Sequence, residues 1–191
     1  MKLRVRVKKE MGKMLKWGFA VLAALFFWMQ GSEGKWSRSW GADNIFHAYV
    51  GQTRAPDFSL RDLQGKTVSL ADLKGKVVLF NFWATWCQNC RKEGSSFNTL
   101  FNRYRSQDFI LYRVNTKEGR ETVQKYVEKE SVQVPVLLDE KGKVGRLFGV
   151  WANPTTYLID RGGNVRYRSI GAVDWAGPEP IRVIDQLLQE K

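Results

Sequence analysis

Two cysteines, Cys87 and Cys90, are the residues of this 191-residue chain whose type and spacing suggest chemistry most directly. They are the only cysteines in the sequence, and two residues separate them. Thiols at this spacing can exchange disulfides with other proteins, because one thiolate attacks a substrate disulfide and the second thiol resolves the mixed disulfide. The pair therefore predicts a catalytic dithiol.

The cysteine pair lies where a predicted strand ends and a predicted helix begins. Residues 77–83 are mostly apolar and aromatic, which indicates a buried strand. Behind the pair, apolar residues recur at helical spacing: Phe97, Leu100, Phe101 and Tyr104. Because the N-terminus of a helix favours a thiolate, we expect Cys87 to attack the substrate. Cys90, one turn later and more enclosed, is expected to resolve the mixed disulfide.

Metal and haem sites fit the cysteine pair less well. A zinc site would need two further ligands, and the single histidine, His47, lies in a distant polar segment. Covalent haem attachment would need a histidine directly after the second cysteine, where Arg91 stands. We therefore expect no metal and no cofactor beyond a disulfide between Cys87 and Cys90.

The apolar pattern along the chain predicts an α/β domain with a mixed central sheet flanked by helices. A β-hairpin is expected within residues 55–70, followed by the central strand, the cysteine pair and one long helix that ends near Arg105. Further strands are predicted at 109–115, 134–138, 155–159 and 165–170, and further helices at 120–130, 144–148 and 181–188.

The positive charge of the chain is concentrated at its N-terminus. The formal net charge is +12, and half of it comes from residues 1–16, which hold seven basic side chains and one acidic side chain. A charge-free apolar segment, residues 17–29, follows directly. A short basic tail before an apolar segment is typical of membrane insertion, with the tail left in the cytoplasm. A nucleic-acid-binding protein would need a basic stripe on its folded part, and the sequence shows none. We therefore expect a membrane and not a nucleic acid as the partner of the basic tail.

The apolar segment predicts a signal anchor that stays attached. As a helix it would span about 20 Å, which is short for a bilayer, but bulky residues occupy the positions where a signal peptidase needs small ones. A cleaved signal peptide is the alternative. The predicted organisation is a cytoplasmic tail at 1–16, a membrane segment at 17–30 that contacts lipid, a linker at 31–54 and an extracytoplasmic domain at 55–191.

Residues 79–93, LFNFWATWCQNCRKE, resemble the active-site region of the TlpA/ResA-type membrane-anchored thioredoxin-like proteins. Further matches are APDF at 55–58, FGV at 148–150 and PTTYLID at 154–160, so the resemblance covers residues 55–188. It implies a thioredoxin-like fold with an added N-terminal β-hairpin. It also implies periplasmic reduction of exported protein disulfides, often in cytochrome c maturation, with electrons from a membrane thiol transporter.

The resemblance assigns roles to further residues. Pro154 would be a cis-proline that faces the cysteine pair and exposes the backbone of Asn153 to an extended substrate. Trp86 would cover the active site, with simple packing as the alternative. Thioredoxins carry a buried acid at the position of Asn81, which is therefore expected to be only a polar neighbour. Glu93 would relay protons instead, with a solvated helix residue as the alternative.

One departure from the family concerns the long helix. Gly94 and Ser95 stand where many relatives have Phe-Pro after the glutamate. Since proline is a common cause of helix kinks, we expect this helix to continue without one.

Two classes of function remain open from the sequence. The first is an enzyme anchored in the inner membrane that reduces exported proteins, with apocytochrome c as one candidate substrate. A periplasmic thiol oxidant or isomerase is a variant of this hypothesis. The second is a thioredoxin-fold binding or scaffold protein. The presence of both cysteines together with Trp86 and Pro154 favours the enzyme.

Overall fold

Eight strands and five helices build the part of the protein that the computed structural model describes, which comprises residues 54–190 and the backbone of residues 47–48. The strands are β1 (His47–Ala48), β2 (Ser59–Asp62), β3 (Thr67–Ser69), β4 (Val77–Trp83), β5 (Phe109–Thr116), β6 (Val136–Asp139), β7 (Thr155–Ile159) and β8 (Val165–Ile170). The helices are α1 (Gln88–Lys92), α2 (Gly94–Tyr104), α3 (Arg120–Lys129), α4 (Lys143–Leu147) and α5 (Pro178–Gln189). A single 3₁₀ turn, Leu70–Leu73, follows β3.

The strands form one mixed sheet in the order β1-β8-β7-β4-β5-β6-β2-β3. Strands β4, β5 and β6 run parallel, and every other neighbouring pair is antiparallel. The hairpin of β2 and β3 extends the sheet beyond β6. The structure therefore confirms the predicted α/β class, the mixed sheet and the added hairpin.

Strand β4 lies at the centre of this sheet and carries the cysteine pair at its end. All seven of its residues are buried, because β5 and β7 flank it and both of its faces are covered. Val77 and Leu79 point to the core formed with α2 and α5. Phe80 and Phe82 point to the opposite core, which contains Phe148. This alternation follows from the two-residue period of a strand.

The long helix behind the cysteines is interrupted, which corrects our expectation of a continuous helix. Helix α1 ends at Lys92 and α2 starts at Gly94, with Glu93 between them at φ −89° and ψ −5°. Glycine weakens a helix at this point. The hydroxyl of Ser96 donates a 2.8 Å hydrogen bond to the carbonyl of Glu93, which holds the start of α2. The break therefore forms without a proline.

Sheet pairing also begins upstream of the predicted domain start. Strand β1 pairs with β8, and Arg54 bridges to Asn164, although residues 31–54 are predicted as a linker. A two-residue strand is too short to leave a periodic pattern in the sequence. The predicted tail and membrane segment, residues 1–30, lie outside the described residues. Within the described part, no helix has the length and apolar character needed to cross a membrane.

Candidate active site

Cys87 and Cys90 are joined by a disulfide at the start of α1, directly after β4. The sulfur of Cys87 accepts a 3.1 Å hydrogen bond from the backbone N–H of Cys90, so Cys87 caps the helix. Cys87 is 5% exposed and Cys90 is fully buried. Cys87 is therefore the more exposed of the two cysteines, as the expected order of attack requires.

The loop before the cysteines is held by hydrogen bonds to Thr85. The carboxylate of Glu118 accepts from the Thr85 backbone N–H at 2.7 Å and from its hydroxyl at 2.5 Å. The guanidinium of Arg91, an exposed residue of α1, donates to the Thr85 carbonyl at 2.9 and 3.1 Å. These contacts fix the approach of the chain to Cys87. No local pattern distinguishes Glu118 from other acidic loop residues, so the sequence analysis missed it.

Glu93 is 1% exposed and points into the protein from the break between α1 and α2. Its carboxylate accepts hydrogen bonds from the Asn81 side chain at 2.9 Å and from the backbone N–H of Val173 at 3.2 Å. Burial raises the pKa of Glu93 to about 7, although the charge of Arg113 and the hydrogen bonds from Val173 and Asn81 oppose this rise. A carboxyl group with this pKa can exchange protons at neutral pH. The alternative of a solvated surface glutamate is excluded.

Asn81 joins three neighbours of the buried cluster. Its side-chain N–H₂ group donates to Glu93 and, at 2.9 Å, to the hydroxyl of Thr156 on β7. Its carbonyl oxygen accepts a 3.2 Å hydrogen bond from Nε of Arg113 on β5. Asn81, the expected polar neighbour, therefore contacts the carboxyl group of Glu93 directly. The orientation of its amide follows, because the oxygen faces the Arg113 cation and the nitrogen faces the Glu93 acid.

Arg113 was not singled out in the sequence analysis, although it lies close to the cysteines. It is fully buried, and its guanidinium lies 4.4 Å from the ring centre of Trp83 and 5.1 Å from that of Phe97. Nη2 donates to the carbonyl of Cys90 at 3.4 Å. Burial lowers the pKa of Arg113 to about 10, so it stays charged at neutral pH. The available signal was an arginine inside an apolar strand pattern, since arginine is rarely fully buried.

Pro154 precedes β7, and the Asn153–Pro154 peptide bond is cis. Thr155 pairs with Phe82 near the end of β4, so this register places Pro154 at the edge of the sheet from which the cysteine loop emerges. The side chain of Asn153 donates a 3.3 Å hydrogen bond to the hydroxyl of Thr116. The backbone around Pro154 is thus anchored beside the redox centre.

A groove of about 240 Å³ connects the cysteine loop with the segment before Pro154. Trp86 and Asn153 line it, together with Trp151, Lys117 and Arg146. Trp86 and Trp151 are 69% and 77% exposed, so neither ring lies in the core. Trp151 was missed in the sequence analysis, where a tryptophan between two matched motifs was its only signal. A larger depression, lined by the β2–β3 hairpin and α4, contains none of the redox residues.

The structure thus brings Cys87, Cys90, Asn81 and Glu93 to one end of β4, with Trp86 and Asn153 on the adjoining groove. Within residues 54–190, no cluster of three or more histidine, cysteine or acidic side chains could hold a metal ion. The arrangement has the parts for dithiol chemistry: a slightly exposed cysteine, a fully buried cysteine and a buried acid.

Comparison with known proteins agrees with this geometry. Residues 51–168 match the AhpC/TSA family. The thiol-disulfide oxidoreductase ResA of Geobacillus thermodenitrificans (strain NG80-2) is 40% identical over 117 residues, which cover 61% of this chain and 67% of that protein. ResA of Bacillus subtilis (strain 168) is 35% identical over 148 residues, covering 78% of this chain and 73% of that protein.

Solved structures of thioredoxin-like proteins share the fold. A thioredoxin family thiol:disulfide interchange protein from Chlorobium tepidum superposes with a TM-score of 0.63 at 29% identity, covering 74% of this chain and 99% of the other. The thioredoxin domain of a Bacteroides vulgatus thiol-disulfide oxidoreductase gives 0.64 at 26% identity, with coverages of 74% and 100%. The chain therefore belongs to the AhpC/TSA family, among its ResA-like members with a thioredoxin-like fold.

Proposed function

We propose that this protein is a thiol–disulfide oxidoreductase that reduces disulfides of exported proteins through Cys87 and Cys90. The observation that carries the proposal is the different burial of three groups at one end of β4: Cys87 is slightly exposed, Cys90 is fully buried, and the buried carboxyl group of Glu93 has a pKa near 7. The names of its ResA relatives support the same reaction class.

The reaction starts from the reduced dithiol. The Cys87 thiolate attacks one sulfur of the substrate disulfide, forms a mixed disulfide and releases the other substrate sulfur as a thiolate, which takes up a proton. Cys90 then loses its proton and attacks the Cys87 sulfur. This second step releases the remaining substrate thiolate and forms the Cys87–Cys90 disulfide, so two electrons have passed to the substrate.

Glu93 is proposed to accept the proton that Cys90 must lose. A general base works best when its pKa lies near the working pH, and burial brings the pKa of Glu93 into that range. Glu93 lies three residues after Cys90, at the end of the same short helix.

The groove beside the cysteines is proposed to receive an extended segment of the substrate. Asn153 would pair with this segment through its backbone, and Trp86 and Trp151 would pack against its side chains. Tryptophan suits this role because exposed aromatic rings contribute strongly to binding when a partner covers them.

The location and partners are part of the same proposal. We propose that residues 17–30 anchor the protein in the inner membrane, with the catalytic domain in the periplasm. A membrane thiol transporter would then re-reduce the disulfide, since an oxidising compartment cannot. Apocytochrome c is a candidate substrate, and the cysteine pair is proposed to act without another cofactor.

Insulin reduction by the full-length protein with dithiothreitol tests the enzyme against the scaffold alternative. We expect turnover in the wild type and none in Cys87→Ala or Cys90→Ala. A thioredoxin-fold scaffold would give the same background rate in all three proteins.

Carbonate extraction of native membranes tests the anchor separately. We expect the protein to remain in the membrane pellet, because residues 17–29 are free of charge and lack a cleavage site. A soluble mature form whose N-terminus lies between Gly31 and Ala55 would refute the anchor but leave the redox function standing.

A further inference from the structure

We propose that Arg113 is a positioning residue of the redox centre, which links the Cys90 turn to the Asn81–Glu93 pair and offsets the negative charge formed there during the second thiol exchange. The inference rests on the proposed function, because only a reacting dithiol needs such a charge.

The first argument is the cost of burying this side chain. Arg113 is fully buried, and among the described residues no carboxylate oxygen lies within 4.0 Å of it. A buried cation without a direct ionic partner costs several kcal/mol before compensation. Stacking between Trp83 and Phe97 supplies part of that compensation through cation–π contacts. An apolar residue would fill this position in β5 at a lower cost in stability, which suggests that the charge has a use.

The second argument is the direction of the hydrogen bonds. Nε of Arg113 donates to Asn81 at 3.2 Å, and Asn81 in turn donates to Glu93 at 2.9 Å. Nη2 donates to the carbonyl of Cys90 at 3.4 Å. One guanidinium group therefore contacts the turn that holds the resolving cysteine and the amide that holds the proposed base.

The third argument is unused hydrogen-bonding capacity. Nη1 of Arg113 is buried and has no hydrogen-bond partner among the described residues while the cysteines form a disulfide. A buried donor without an acceptor is costly. During the second exchange step the negative charge passes from the Glu93 carboxylate to the Cys90 sulfur. The guanidinium can stabilise it at both positions, because it contacts the Cys90 turn and the Asn81 amide that holds Glu93.

The surroundings of Glu93 identify Arg113 as the source of the positive charge that acts on its carboxyl group. From β4 the carboxyl group contacts the neutral side chain of Asn81, which also donates to the hydroxyl of Thr156 on β7. From the segment after β8 it contacts the Val173 backbone and is influenced by the Trp175 side chain. Arg113 is the charged group that acts on Glu93 electrostatically. Arg113 itself is influenced by Glu93 and by Tyr126 on α3. Cys90 becomes a further titratable neighbour once it is reduced.

The proton balance of the second exchange step follows from this arrangement. The proton leaves the Cys90 thiol and is taken up by the Glu93 carboxylate, while the sulfur–sulfur bond of the mixed disulfide passes to Cys87 and Cys90. Glu93 must be ionised to accept the proton. Arg113 lowers the pKa of Glu93, so the cation keeps the base available at neutral pH.

The test uses reduced full-length protein mixed with Ellman's reagent in a stopped-flow instrument. Attack by Cys87 releases the first thionitrobenzoate, and resolution by Cys90 releases the second. The pH dependence of the slower phase then reports the group that activates Cys90. We compare the wild type with Arg113→Gln, Arg113→Lys and, as an exposed-arginine control, Arg103→Gln.

In Arg113→Gln we expect the pH midpoint of the second phase to rise by roughly one unit, because an opposite charge nearby lowers a carboxyl pKa by about that much or more. Arg113→Lys keeps the charge but loses the forked contacts, so it should slow the second phase several-fold without moving its midpoint. Arg103→Gln should match the wild type. In a Glu93→Gln background, Arg113→Gln should no longer shift the midpoint.

Three results would overturn the inference: an unchanged midpoint in Arg113→Gln, the same shift with and without Glu93, or an Arg113→Lys variant equal to the wild type in rate and midpoint. If Arg113→Gln does not fold, the lysine variant decides the question alone. Absence of both phases in the wild type would instead refute the proposed function, so the two failures are distinguishable.

Discussion

The side-chain amide of Asn81 donates a 2.9 Å hydrogen bond to the carboxylate of Glu93, and both residues are completely enclosed. Asn81 lies on the central strand and Glu93 at the break in the helix that follows the cysteines. A neutral amide thus occupies the place beside the acid, so Glu93 does not share its site with a second carboxyl group. The hydrogen bond from Asn81 lowers the pKa of Glu93, against the larger rise that burial causes.

Asn81→Asp tests that relationship with a nearly isosteric change. The new carboxylate would pair with Arg113 and face Glu93, and two adjacent carboxyl groups raise the pKa of one of them. We expect Glu93 to hold its proton to a pH well above 7, with the second exchange step shifted in the same direction. Stopped-flow resolution rates from pH 6 to 9 measure this shift, and a profile equal to that of the wild type would contradict it.

The stability of the oxidised protein should depend on Glu93 in a defined pH window. The pKa of Glu93 is raised from 4.5 to about 7 by folding, so the native state holds the proton longer than the unfolded state. The stabilising contribution of Glu93 is therefore complete below pH 4.5 and is lost as the pH rises through 7. The loss from this one group is roughly 3 kcal/mol.

Glu93→Gln removes this titration and serves as the comparison. Urea unfolding at pH 4.5 and pH 8 should show a larger loss of free energy in the wild type than in the variant, because all other titrating groups are shared. Equal losses in the two proteins would mean that Glu93 is already ionised in the native state at low pH.

The two cysteines should differ strongly in reactivity. Cys87 is slightly exposed at the start of α1 and Cys90 is fully buried, so in the reduced protein Cys87 should react with iodoacetamide roughly tenfold faster or more. Cys90→Ala should trap mixed disulfides with substrates, and Cys87→Ala should form none. Peptide mass mapping after brief alkylation measures the ratio, and equal labelling of both sites would refute the assigned order.

The exposed tryptophans of the groove should matter for protein substrates and little for stability. Trp86→Ala and Trp151→Ala should change the free energy of unfolding by less than about 0.5 kcal/mol, because both rings are largely exposed. Each should lower kcat/KM for insulin by roughly tenfold, the effect of a binding residue worth more than 1 kcal/mol, while the reaction with Ellman's reagent stays unchanged.

Leu147→Ala is the matched control for the tryptophan variants. Leu147 is also a large exposed apolar residue, at 59%, but it lies outside the groove. It should leave insulin reduction unaffected. If it lowered insulin reduction as much as the tryptophan variants do, the effect would be a general surface effect rather than binding in the groove.

The reduction potential decides between a reductase and an oxidant. We expect a value nearer the thioredoxin end of the scale, about −270 mV, than the strongly oxidising end near −120 mV. The Gln88-Asn89 dipeptide adds no positive charge, and Glu93 opposes thiolate formation nearby. Equilibration with glutathione or dithiothreitol buffers at pH 7 measures the midpoint. A value more positive than about −150 mV would indicate a thiol oxidant or isomerase.

The sequence alone determined the features that depend on neighbouring residues. The apolar run before Cys87, the spacing to Cys90 and the helical pattern behind them predict the strand, the dithiol and the helix because each signal spans only a few positions. The strands of the hairpin, β5, β7 and β8 were recognised for the same reason. The motifs around the cysteines and Pro154 also led to the correct family.

The tertiary structure alone decided how the buried polar residues meet. Arg113 contacts Asn81 and Cys90 across 32 and 23 positions of sequence, and Asn81 contacts Thr156 across 75. Such contacts follow from the pairing of β4 with β5 and β7, which leaves no local pattern. The environment of Glu93 is likewise non-local, because its pKa depends on burial and on charges that distant strands bring to it. The sequence could therefore place an acid after the cysteines, but only the folded core gives that acid a pKa near 7.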